Sequence, residues 1–171
     1  MKRISFLTGL LLFLALLTAT PLSARSGFGV MAGMNLCGAA YKESSLRTAD
    51  NYALFHMGIL YEQRLGLGFS VQPALIYTAK GAKDIARFDC LELPLSFKWG
   101  PDLLLFRPYM EVAPFVGYVL NSGYGVEAGV GVGLGIDFNR FAISGKYNWN
   151  GAFEGWDMKP RTIMLSLAFK F

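Results

Sequence analysis

A single histidine, His56, and two cysteines, Cys37 and Cys90, are all that this 171-residue chain offers of the side chains most used to hold metals or act as nucleophiles. One histidine falls short of what a zinc site draws on, so a metal or other cofactor is not expected. Charged residues make up only 16% of the sequence and never cluster into a basic patch for nucleic acid. A Pro/Ser-rich linker, a charge block and a low-complexity tail are all missing too, which leaves one domain. The hydrophobic residues, at 53%, are equally telling in what they fail to do. After Ala24 they never gather into the about 20 consecutive apolar positions that a membrane-crossing helix needs.

The one massed apolar run, Gly9 to Leu17, follows Lys2 and Arg3 and precedes Leu22-Ser23-Ala24. That order reads as a secretory signal over residues 1–24, cut before Arg25, with no nearby cysteine for a lipid anchor. Removing 24 of 171 residues leaves 147, residues 25–171, carrying 14 basic and 12 acidic side chains once Lys2 and Arg3 are gone, a net charge of about +2. The expected destination is extracytoplasmic.

What the chain does have is alternation. From Val126 to Phe138, the residues Val126, Ala128, Val130, Val132, Leu134, Ile136 and Phe138 alternate with Glu127, Gly129, Gly131, Gly133, Gly135 and Asp137. A period of two means a strand with one oily and one polar face. Eight such segments are expected, at Gly27 to Leu36, Ala53 to Gln63, Leu67 to Ala79, Phe88 to Trp99, Arg107 to Val119, Val126 to Phe138, Arg140 to Trp149 and Thr162 to Phe171. Tight turns near Leu65-Gly66, Gly100-Pro101-Asp102 and Phe138-Asn139-Arg140 alternate with longer connections around Lys42 to Asn51, Lys80 to Arg87, Asn121 to Gly125 and Asn150 to Pro160. An even number of strands of this length predicts an all-β, eight-stranded, antiparallel up-and-down transmembrane barrel, with tight turns inside and longer loops outside.

A soluble, lipocalin-like barrel is the rival, with the oily face inside. It would leave Gly129, Gly131, Gly133 and Gly135 on a solvent-facing wall, where glycine weakens a strand for no packing gain. Turned inward, the glycines make room in a narrow lumen. Tyr61, Tyr77, Trp99, Tyr118, Phe138 and Trp149 then fall on the oily face near strand ends, as an interfacial girdle should. The inward list holds Glu62, Arg64, Glu92, Lys98, Glu111, Glu127, Asp137, Lys146 and Lys170, five acids against four bases. Mutual neutralisation is expected, since an unpaired buried charge costs several kcal/mol. Eight strands enclose a lumen that side chains can just fill, so a plugged core is expected. Pro73, Pro94 and Pro114 fall inside strands, each deleting a ladder donor, and bulges are one way to absorb them.

The motifs Gln72-Pro73-Ala74-Leu75-Ile76-Tyr77, Lys80-Gly81-Ala82-Lys83, Leu91-Glu92-Leu93-Pro94-Leu95 and Arg107-Pro108-Tyr109, with Gly117-Tyr118 and Leu120, occur in that order. Together they resemble the PorT-like outer-membrane β-barrel family of the Bacteroidetes type, whose members tend to carry prolines at similar places. Lys146-Tyr147-Asn148 resembles the family's Arg-Tyr pattern with lysine for arginine. The resemblance implies an outer-membrane barrel and leaves activity open. Terminal Leu165, Leu167, Phe169 and Phe171 resemble the signal by which the outer-membrane assembly machinery recognises barrels.

His56 has inward parity, away from the lipid face where a lipid deacylase would work, so it reads as a structural lumen residue and the protein as no enzyme. Cys37 and Cys90 leave two readings, a disulfide tying the first outer loop to the second or two free thiols; the first needs Cα atoms about 5.5 Å apart. Phe153 and Trp156 could meet a partner or lipopolysaccharide, or rest on the rim. The function expected is a monomeric barrel in contact with outer-membrane lipid and lipopolysaccharide, structural or interactive. A narrow passive channel, an accessory part of a secretion machine and a lipid-modifying enzyme are the alternatives.

Overall fold

The computed structural model describes residues 26–40, 52–82, 86–121, 125–153 and 159–171; residues 1–25, Trp156 and the central parts of the longer loops lie outside them. Eight strands follow in chain order: β1 (Gly27–Ala40), β2 (Tyr52–Gly66), β3 (Phe69–Ala82), β4 (Ala86–Trp99), β5 (Arg107–Val119), β6 (Val126–Phe138), β7 (Phe141–Phe153) and β8 (Lys159–Lys170). Each pairs antiparallel with its sequence neighbour, and β8 pairs with β1 from Gly29↔Lys170 to Ala40↔Lys159, closing the barrel. Closure satisfies the backbone groups that an edge strand would expose to hydrocarbon.

Outward and inward sides follow the sequence alternation. Met110, Val112, Val116 and Tyr118 of β5 are exposed, while Arg107, Tyr109, Glu111, Ala113, Phe115 and Val119 are buried. On β6 Val132, Leu134 and Ile136 are exposed, and Glu127 and Asp137 are buried. A polar interior under an apolar exterior is the reverse of a soluble barrel, so the wall faces lipid. The 13 residues of β6, at about 3.3 Å per residue and a tilt of about 40°, rise roughly 30 Å, the thickness of a hydrocarbon core.

The inward glycines are space for larger neighbours. A Cβ on Gly135 would run into the Tyr109 phenol and come 2.8 Å from the Ile143 carbonyl oxygen, and one on Gly129 would meet the Phe115 ring. Gly145, by contrast, has outward parity, and its nearest neighbour would be Leu165 Cδ2 at an ordinary 3.5 Å. Gly135→Val is therefore expected to cost about 1–3 kcal/mol through overpacking. Gly145→Val should leave stability within about 0.5 kcal/mol, because valine suits a lipid-facing strand. Denaturant titration of the two variants in lipid checks the difference, and equal effects would contradict the assigned faces.

Several boundaries differ from expectation. β2 runs to Gly66, and the first tight turn is Leu67-Gly68, with φ of 52° and 78°. Two successive positive φ values give a primed turn, whose twist matches the flanking strands. Leu65 is the extra residue of a bulge just before it, where the β2–β3 register shifts between Arg64 and Gly66. The prolines need no bulge. Register is unchanged past Pro73, Pro94 and Pro114, and the ladder omits only pairs beside them. Toward the loop end the strands extend beyond their expected limits, so Lys80, expected in a loop, belongs to β3, and Phe153 closes β7.

Candidate functional site

The lumen is closed by two ionic clusters, and the larger sits at the end that carries both chain termini. Arg107 at the start of β5 reaches across it. Its Nη1 donates to Glu62 Oε1 at 3.2 Å, to Asp137 Oδ2 at 3.3 Å and to Ser70 Oγ at 3.2 Å, and its Nη2 to the Gly68 carbonyl at 2.6 Å. Lys170 of β8 bonds Asp137 Oδ1 at 2.9 Å and also pairs with Glu62. Arg64, partly exposed, spans Asp137 Oδ2 at 3.5 Å and Asp102 Oδ1 at 3.1 Å. Charges from β2, β5, β6 and β8 are thus bonded across one mouth.

The second cluster lies toward the opposite end. Lys80 Nζ, only 1% exposed, donates to Glu127 at 3.1 and 3.2 Å, pairs with Glu92, and stands 4.9 Å from the centre of the Phe115 ring. Elsewhere in the lumen, Lys146 pairs loosely with Glu111 at 3.8 Å. Lys98 donates to Gln72 Oε1 at 2.7 Å and lies 4.3 Å from the centre of the Tyr109 ring. Eight of the nine ionic residues expected inside are buried there, Arg64 sits partly exposed at the mouth, and the balance changes. Among the described residues Lys80 and Arg107 join them, giving five carboxylates against six cations. Parity marks both only once the strands are known to reach them, Lys80 continuing the inward row of Thr78 at the end of β3 and Arg107 that of Glu111 at the start of β5. Nor is the filling wholly polar: Met31, Leu60, Ala74, Ile76, Ala142 and Ala168 pack together inside. The space bounded by Ile76, Glu92, Phe115, Lys146, Asn148 and Met164 admits no water-sized sphere.

His56 is buried, as its parity implies, and ties strands together across the barrel seam. Its Nδ1 lies 2.7 Å from Asn35 Oδ1 on β1, and its Nε2 lies 2.9 Å from Ser166 Oγ on β8. Asn35 Nδ2 continues the chain to Thr78 Oγ1 of β3 at 2.7 Å and to the Ala79 carbonyl at 2.8 Å. The order Ser–His–Asn is that of a hydrolytic relay. Here the three side chains are 6%, 1% and 0% exposed, and the imidazole packs over Gly33, where a Cβ would come 2.6 Å from Cε1. An ester approaching from lipid meets the other face of the wall. The geometry is that of an interstrand tie.

Of the two readings left open for the cysteines, the structure carries the free thiols. Cys37 and Cys90 are both buried and both free thiols. They stand on β1 and β4, with β2 and β3 between them. Three strand spacings of about 4.8 Å along the wall far exceed the roughly 4.4–6.8 Å between Cα atoms that a disulfide spans. Thr162 Oγ1 lies 3.9 Å from Cys37 Sγ instead.

All six expected girdle aromatics are on the outward face. Tyr61, Trp99 and Phe138 belong to the terminus end, where Phe28 packs 4.9 Å from Tyr61 and Phe69 packs 6.3 Å from Trp99. Tyr77, Tyr118 and Trp149 belong to the loop end, where Tyr147 packs edge-on against Trp149 at 4.5 Å. Leu165, Leu167, Phe169 and Phe171 form one outward row on and just after β8, with Phe169 between Phe141 and Phe171 at 5.1 and 5.6 Å. Arg161 and Arg87 break the apolar outer face, both exposed and both near the loop end. Arg87 Nε binds Asp89 Oδ1 at 3.1 Å, so Asp89 also departs from the inward parity of its strand's other charges.

No protein-family model matches the chain, and no curated protein matches its sequence. Solved structures do match its shape. Neisserial surface protein A (NspA) aligns over 86% of this chain and 100% of its own, with a TM-score of 0.56 and 15% identity. Ail, the attachment invasion locus protein of Yersinia pestis, aligns over 85% of this chain and 99% of its own, with a TM-score of 0.50 and 15% identity. At that identity the likeness is one of fold: the small eight-stranded outer-membrane barrel.

Proposed function

We propose that this chain is an integral outer-membrane protein whose work is done by its wall and outer rim, and that its lumen is a structural plug which conducts nothing. The observation that carries this reading is the filled interior, ion-paired across one mouth and without room for water beside Glu92 and Lys146. Arg161 stands opposite Trp149 and Arg87 lies past Tyr77 toward the loop end, both exposed, where guanidinium groups suit the phosphates of lipopolysaccharide. NspA is named a surface protein and Ail the attachment invasion locus protein, names in keeping with a role at the outer rim. The PorT-like motifs fit the same kind of protein, and residues 1–24 and the β8 row supply the expected export and assembly signals. An accessory part of a secretion machine would differ in holding stable partners on cross-linking.

Planar-bilayer recording tests the plug. Folded protein is expected to give a flat trace, and discrete single-channel steps would replace the plug with a narrow pore.

A further inference from the structure

The connection between β4 and β5, residues 100–106, carries an exposed apolar run where a turn facing water would be polar. Leu103, Leu104, Leu105 and Phe106 are 49%, 105%, 76% and 42% exposed. The Leu103 amide donates to the Phe106 carbonyl at 3.1 Å, which fixes Leu104 and Leu105 at the tip. Asp102, one residue earlier, is held on the lumen side by Arg64 at 3.1 Å and Arg107 at 3.5 Å. With its polar residue held over the mouth, the loop leaves its leucines uncovered. Phe69 and Phe138, outward residues at the ends of β3 and β6, border one cleft of about 660 Å³ together with this run. The apolar loop therefore adjoins the lipid-facing girdle at Phe69 and Phe138 on one side and the ionic mouth at Arg64, Arg107 and Asp137 on the other.

We infer that residues 103–106 form an interfacial anchor, seated among the headgroups and upper acyl chains of the leaflet at the terminus end and held at its angle by the Arg64–Asp102–Arg107 pairs. The occupant is lipid, because the apolar surface that the run adjoins is the lipid-facing one. This rests on the assignment of the wall to lipid.

The test uses the full mature chain with Cys37→Ala and Cys90→Ala, folded into phosphatidylcholine vesicles, with folding checked by heat-modified electrophoretic mobility. An environment-sensitive nitrobenzoxadiazole probe is attached to Leu104→Cys, or to Leu105→Cys if the first variant does not fold. Matched probes go on Ile143→Cys in the wall and Arg140→Cys in the β6–β7 turn. The loop probe is expected to emit to the blue of the Arg140 probe, to be quenched by nitroxide-labelled lipid and to resist aqueous iodide. Water-like emission from the loop with lipid-like emission from Ile143 overturns the anchor and makes a periplasmic protein the better occupant. Water-like emission from both overturns the wall assignment as well.

Discussion

Lys80→Met is expected to lower the unfolding free energy by about 3–5 kcal/mol. Lys80 is the cation that stands between Glu92 and Glu127, fully buried, so its loss leaves two carboxylates facing each other without it. Methionine replaces most of the aliphatic volume, so the loss is one of charge more than of packing. Converting the partners as well, in Lys80→Met with Glu92→Gln and Glu127→Gln, should recover most of the loss, because no buried charge is then left over. Denaturant titration in lipid, followed by tryptophan emission, measures both. A loss below about 1 kcal/mol, the scale of exposed pairs, would mean that the cluster is open to water.

Val132→Arg is expected to cost about 2–4 kcal/mol, the penalty for a cation at the bilayer midplane of a barrel. Val132 lies near the middle of β6, exposed and opposite Tyr147 and Val112 on the neighbouring strands. The same change at Tyr118, near the loop end, should cost only about 0–1 kcal/mol in charge. Depth dependence is the signature: a wall facing water would accept arginine at Val132 within about 0.5 kcal/mol.

The sequence carried the architecture because strand alternation is enforced residue by residue. One face must satisfy hydrocarbon and the other must fit inside a tube, so the parity of Val126 to Phe138 already separates lipid from lumen. Lys80 was not legible as a lumen residue because Gly81 and the neighbouring lysines resemble a loop, whereas the strands continue past the apolar stretch that makes them recognisable. Arg107 stood at a strand's first residue, beside Pro108, where a solvated rim position is equally natural. Inward parity of Cys37 and Cys90 was legible, but not their separation, since that depends on which strands intervene around the wall. His56 showed the same limit. Its burial could be read from parity, while its contacts with Asn35 and Ser166 exist only because β8 returns to β1.

Nitroxide labels at Val132 and Leu165, in protein folded into bilayers, address the central claim most directly. Frequent collisions with dissolved oxygen and few with a water-soluble nickel chelate are predicted, since both side chains would lie among acyl chains. Labels that meet the chelate freely, or that are shielded from both reagents as in an enclosed core, would contradict it.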